Sequence, residues 1–159
     1  MIRNARKDDL AAIAEVAQST QMFLGEELEH FVAMLEGHFE PGAEDGASLL
    51  VTTDGEAPDS PVMGAAYFAP EMMAQGVMNL LFIGVLASAR KRGHGQSLLN
   101  AFEQEVATSG SRLAIIETAS DAMFAPAWAL YRSSGYSQEA KIRDFYDDGL
   151  DKLVFRKRP

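Results

Sequence analysis

The 159-residue chain contains no cysteine, which removes disulfides, thiol nucleophiles and thiolate metal ligands together and fits a reducing, cytoplasmic setting. Its three histidines, His30, His38 and His94, form no recognisable metal cluster, so no metal is expected. Long apolar runs are missing as well: none approaches the roughly 20 residues that span a bilayer. The opening Met1-Ile2-Arg3-Asn4-Ala5-Arg6-Lys7 has no apolar core of the kind a secretion signal needs. Positive charge is scarce, with 14 basic against 23 acidic residues and a net charge of −9, which argues against nonspecific nucleic-acid binding. Without Gly-x-x-x-x-Gly-Lys, His-Glu-x-x-His or Gly-x-Ser-x-Gly, nucleotide hydrolysis, zinc proteolysis and a serine nucleophile elbow lack support.

What is present is ordinary in bulk and unusual in one place. Hydrophobic residues at 47% and charged residues at 23% suit a globular chain, and the length suits a single domain over 1–159 with one core. Three of the 14 basic residues fall within Arg90-Lys91-Arg92-Gly93-His94-Gly95. This turn follows the apolar run Leu80-Leu81-Phe82-Ile83-Gly84-Val85-Leu86 and precedes the helical pattern from Gln96 to Phe102. Glycine lets backbone approach an oxyanion, the first amides of a helix have no internal acceptor, and the helix dipole favours negative charge there. The turn therefore suits a phosphorylated ligand.

Periodicity places the remaining elements. Residues 2–5 read as a strand, and Asp8 or Asp9 as the N-cap of a helix with Leu10, Ile13, Ala14 and Ala17 on one face. A second helix covers 26–36, with Leu28, Phe31, Val32 and Leu35 as its stripe. Residues 47–53 and 62–69 form a strand pair around a polar turn, and 77–86 is a long, buried strand in which Gly84 signals a bulge or a close backbone approach by a ligand. A helix with Leu98, Leu99, Phe102 and Val106 inward runs to Ser109-Gly110. A strand at 113–117, a helix at 123–134 and two strands at 140–146 and 152–156 around Asp147-Asp148-Gly149 complete the chain. The order βααβββαβαββ predicts an α/β fold whose mixed, mostly antiparallel sheet is flanked by helices.

Arg90-x-x-Gly93-x-Gly95 with its preceding apolar strand, and Ala127-x-x-Leu130-Tyr131-x-x-x-Gly135-Tyr136 downstream, resemble the two signature segments of the GCN5-related N-acetyltransferases. Ile2-Arg3-x-Ala5-x-x-x-Asp9-Leu10 is similar to that family's opening strand and helix. The resemblance implies a domain that binds acetyl-coenzyme A and passes the acetyl group to an amine, from a small molecule or a peptide. It also implies that the backbone from Arg90 through Lys91, Arg92, Gly93, His94 and Gly95 to Gln96 grips the coenzyme diphosphate. Lys91 and Arg92 occupy variable positions that add charge, and His94 is expected to face solvent. Amides from Ile83 through Gly84 to Val85 would polarise the thioester oxygen. A homodimer is compatible with this reading.

By the same resemblance Tyr131 sits near the coenzyme sulfur. Protonating a thiolate fully from an ordinary tyrosine is uphill by about 2 kcal/mol, so hydrogen-bond donation is its expected role. Phe124 stands where relatives often have an asparagine. Amine attack requires a neutral nitrogen, so a proton must leave. Relatives with a strand-borne glutamate base place it where this chain has Asn79, which cannot serve, and Glu117 at the end of the next strand is the replacement unless it caps residues 118–123 or pairs with a cation. Phe23, Glu26, Glu27, Asn79, Phe145 and Tyr146 are expected around the acceptor, although acids in a first helical turn also satisfy the dipole. A dinucleotide site fails because Leu98 occupies the third-glycine position and residues 87–92 separate the strand from the turn. Asn79 and Phe124 keep a second reading open, a coenzyme A-binding or sensing module that has lost the chemistry.

Overall fold

The computed structural model describes residues 1–43 and 46–159. Seven strands, β1 (Ile2–Asn4), β2 (Ser48–Thr53), β3 (Val62–Pro70), β4 (Val77–Val85), β5 (Leu113–Ala119), β6 (Ser137–Asp147) and β7 (Leu150–Lys157), make one sheet in the order β1-β2-β3-β4-β5-β7-β6. The helices are α1 (Leu10–Thr20), α2 (Glu26–Gly37), α3 (His94–Thr108) and α4 (Ala125–Ser133), with short 3-10 turns at Lys7–Asp9, Ala87–Ala89 and Ala122–Phe124. The order of strands and helices is the one periodicity predicts. Pairings β1–β2, β2–β3, β5–β7 and β6–β7 are antiparallel, whereas β4–β5 is parallel, which makes the sheet mixed.

By compactness the chain divides into residues 1–69 with 82–102, and residues 70–81 with 103–159. In the first unit β2 carries Leu49 and Val51 inward and α1 supplies Ile13, Val16 and Ala17, all of them buried. Val16, absent from the expected stripe, lies inside, while Leu10 and Ala14 are only partly covered. Phe31 and Leu35 of α2 join this cluster, and the rings of Phe23, Phe31 and Phe82 stack with centroids 4.5 to 6.1 Å apart. Burying each such side chain contributes on the order of 2 kcal/mol, so hydrophobic packing and not propensity fixes α1 and α2. Asp9 ties the entry to α1 down: its carboxylate accepts from both Arg3 amines at 2.6 and 2.9 Å and from the Arg6 amide at 2.7 Å.

In the second unit β5 alternates as its pattern requires, with Ala114, Ile116 and Thr118 buried. The parallel ladder pairs Val77 to Leu80 with Leu113 to Ile116, whereas β5 continues along β7 to Ala119. Every residue of β6 is exposed, as an edge strand with one open side requires. Two irregularities break its ladder, between Gln138 and Ala140 and between Ile142 and Asp147. The second sets residues 143–146 against Asp151 alone, so the strand expected at 140–146 is present but carries a large bulge.

Candidate active site

The basic turn adopts the conformation its glycines permit. Lys91 and Gly93 lie in the left-handed region at φ 60° and 90°, and a side chain built at Gly93 would meet nothing within 4 Å. Space therefore does not require glycine at 93, but the backbone does. The first α3 ladder bond runs from the Ser97 amide to the Gly93 carbonyl at 2.9 Å. Helix geometry leaves the amides of His94 and Gly95 without an intrahelical acceptor, and the positive end of the dipole falls on them. These residues fit a diphosphate.

The three cations divide their work. Arg90 donates to the Ser19 carbonyl at 2.8 Å and to Val85 at 3.5 Å, so its guanidinium closes the end of α1. Arg92 pairs with Asp54 at 3.0 Å. Lys91 is exposed and makes no ion pair among the described residues. His94 departs from the expectation of a solvent-facing position. It is half-buried, with Nδ1 3.0 Å from the hydroxyl of buried Thr52, because the first turn of α3 lies against β2. Burial, and then the charge of Arg92, lower its pKa.

Gly84 on β4 also has a packing reason that the sequence did not show. A Cβ there would meet Phe82 at 2.7 Å, Thr20 at 2.8 Å and Val16 at 3.2 Å. The Phe82 ring of the same strand and helix α1 leave no room for a side chain. Ile83 and Val85 flank it, each partly exposed. Nearby, Phe23 is engaged by Phe31 and Phe82, while Glu26 and Glu27 are exposed in the first turn of α2, where the dipole favours them.

In the second unit Tyr131 is 2% exposed, and burial raises its pKa above the ordinary tyrosine value. Its ring packs edge-on to Phe155 at 5.4 Å and beside Tyr136 at 6.3 Å. No hydrogen bond from its hydroxyl is found among the described residues, so the group is held in position and left a donor. Phe124 ends the 3-10 turn before α4, which starts late, at Ala125, because the Asp121 carboxylate caps that turn through the Met123 amide at 2.9 Å.

Glu117, Phe145 and Tyr146 converge on a residue that sequence reasoning missed. Lys152 Nζ lies 2.9 Å from Glu117 Oε2, 3.8 Å from the centre of the Phe145 ring and 6.0 Å from that of Tyr146. Glu117 therefore pairs with a cation, one of the alternatives left open. The bulge carries Phe145 and Tyr146. Asp144 sits at φ 54°, its amide donates to Asp151 Oδ1 at 3.0 Å, and its own carboxylate accepts from the Gly149 amide at 2.8 Å. Aspartate tolerates that conformation, so Asp144 close to Asp148-Gly149 was the available signal. Asn79, 4% exposed, donates to Glu71 Oε2 at 2.9 Å, and its Oδ1 is buried without a partner.

Among the described residues no group of three histidine, cysteine or acidic side chains is placed to hold a metal ion, and no helix is long and apolar enough to cross a membrane. A GNAT-family structure from Desulfovibrio desulfuricans is 27% identical, covers 99% of this chain and 98% of its own, and superposes with a TM-score of 0.89. The Escherichia coli ribosomal-protein-S18-alanine N-acetyltransferase matches at 19% identity over 99% and 92% of the two chains, TM-score 0.77. A Salmonella typhimurium structure with its cofactor acetyl-CoA matches at 20% identity over 99% and 92%, TM-score 0.75. A search of curated proteins finds no match. The family model for the acetyltransferase (GNAT) family matches residues 10–136. That match covers the basic turn, α3, β5 and Tyr131 together, and the chain belongs to the GNAT family of acetyltransferases.

Proposed function

We propose that this protein transfers the acetyl group of acetyl-CoA to a primary amine by direct attack in a ternary complex. The observation that carries the reading is the open, left-handed turn at Lys91 and Gly93 feeding the first amides of α3. Residues 90–96 hold the diphosphate, with Lys91 as the uncommitted charge and Arg90 acting through the backbone it fastens. Residues 83–85 carry the thioester oxygen, which gathers negative charge as the carbonyl carbon becomes tetrahedral. The amine lone pair forms the C–N bond, the C–S bond breaks, and the departing sulfur takes a hydrogen bond from Tyr131. The high pKa of the Tyr131 phenol suits donation over full proton release.

Glu117, shared with Lys152 and bordered by Phe145 and Tyr146, is the electrostatic border of the acceptor. The chain has no cysteine to form a thioester acyl-enzyme. Thiol release from acetyl-CoA with a panel of primary amines tests the proposal. Wild-type turnover is expected on at least one amine, and Tyr131→Phe should lower kcat by roughly 10- to 100-fold with acetyl-CoA binding intact. The competing reading, a coenzyme-binding module without chemistry, rests on Asn79 and Phe124. Tight acetyl-CoA binding with no thiol release on any amine would establish it.

A further inference from the structure

Asn79 stands out because it is a buried polar side chain whose amide oxygen has no hydrogen-bond partner. Only Nδ2 can donate to a carboxylate, so the contact with Glu71 fixes the amide orientation and leaves Oδ1 as a buried acceptor without a partner. An orphan acceptor of this kind carries its desolvation penalty unless a donor arrives. Glu71 is held by the turn that joins β3 to β4: its amide donates to the Val77 carbonyl at 2.8 Å, and its carbonyl accepts from Ala74 at 3.3 Å. Met73, fully exposed, takes the left-handed conformation at φ 62° within this turn. Among the described residues Glu71 has no ion pair, in contrast to Glu117, whose carboxylate holds Lys152 at 2.9 Å.

We infer that Glu71 and Asn79 together receive the acceptor amine and that Glu71 is the proton acceptor; this rests on the acetyl-transfer reading above. Asn79 Oδ1 accepts one N–H of the incoming ammonium. A Glu71 oxygen takes a proton from the same nitrogen, directly or through one water, which frees the lone pair. The neutral amine then forms the C–N bond as the C–S bond breaks. The nitrogen gives up its surplus proton to the thiolate, and Glu71 returns its own to solvent. The Glu117 carboxylate is already engaged by Lys152, whereas Glu71 has no cation partner among the described residues, which assigns Glu117 to the acceptor border and Glu71 to the proton. The amide thus does by proxy, through the turn, what it cannot do alone.

The test compares Glu71→Gln with Glu117→Gln in thiol-release assays using whichever primary amine the wild type acetylates. Glutamine keeps an oxygen for Asn79 and so preserves the turn. The expected result is a 100-fold or greater fall in kcat for Glu71→Gln, with acetyl-CoA binding by calorimetry unchanged. The acid limb of the kcat–pH profile should also be lost. Asn79→Ala should raise KM for the amine. Wild-type kcat in Glu71→Gln, or loss of the acid limb in Glu117→Gln alone, overturns the assignment. Absence of wild-type turnover on every amine would instead overturn the acetyl-transfer reading, so the two failures are distinct.

Discussion

At the scale of single residues, the basic turn separates charge that binds from charge that builds. Arg90, fastened to the Ser19 carbonyl, belongs to the scaffold. Lys91, exposed and without an ion pair among the described residues, is the charge we propose for the ligand. Lys91→Glu should weaken acetyl-CoA binding about tenfold at low ionic strength and less at high salt, because an exposed charge is screened. Arg90→Ala should lower stability by about 1 kcal/mol through the lost carbonyl contacts. Calorimetric affinity at two salt concentrations and thermal unfolding separate these effects, and a salt-independent Lys91→Glu defect would contradict the assignment. The sequence made the turn legible because glycine and charge coincide in six residues. It could not apportion the three arginine and lysine side chains, since their partners Ser19 and Asp54 lie far away in the chain.

At the scale of elements, the β6–β7 hairpin shows what periodicity can and cannot read. Its two-residue turn at Asp148-Gly149 follows from composition. The bulge at 143–146 shows only as a lapse in alternation, with Arg143-Asp144 polar and Phe145-Tyr146 aromatic in succession, because the hydrogen bonds that pull the strand off its ladder, to the carboxylates of Asp151 and Asp144, lie across the hairpin. Asp151 binds the Asp144 amide and Lys141 together, and these contacts lower its pKa. Asp151→Ala should release the bulge and swing Phe145 and Tyr146 away from Lys152. The measurable outcome is a several-fold higher KM for the amine with little change in acetyl-CoA affinity, and NMR shifts confined to β6 and β7. Gly84 teaches the same lesson from another side. Its smallness was visible, but only the packing shows that Phe82 on the same strand and Val16 and Thr20 on helix α1 leave no room for a side chain there.

At the scale of the whole molecule, the titrating groups bracket the range of stability. Burial lowers the pKa of His38, and burial with Arg92 lowers that of His94. Below pH ~6.5 the unfolded chain takes up protons that the native histidines refuse, so stability falls as the pH drops. Burial raises the pKa values of Tyr131, Tyr136 and Tyr146, with Glu103 adding to the effect at Tyr136 and Glu117 at Tyr146. Above pH ~10 the unfolded chain loses protons that the native tyrosines keep, and stability falls again. Unfolding midpoints should therefore plateau between these limits. His94→Gln should flatten part of the acid side, and a midpoint that climbs on acidification to pH ~5 would refute the account.

The seam between β4 and β5 has a consequence in time. A hairpin such as β6–β7 meets itself across two residues, whereas Val77 to Leu80 must wait for Leu113 to Ile116, with all of α3 strung between them. Loop closure makes the second encounter the costlier one, and long-range parallel pairing is a slow event. Strand β5 is thus the late arrival, whereas β4 already adjoins β3 across the short turn at 71–76.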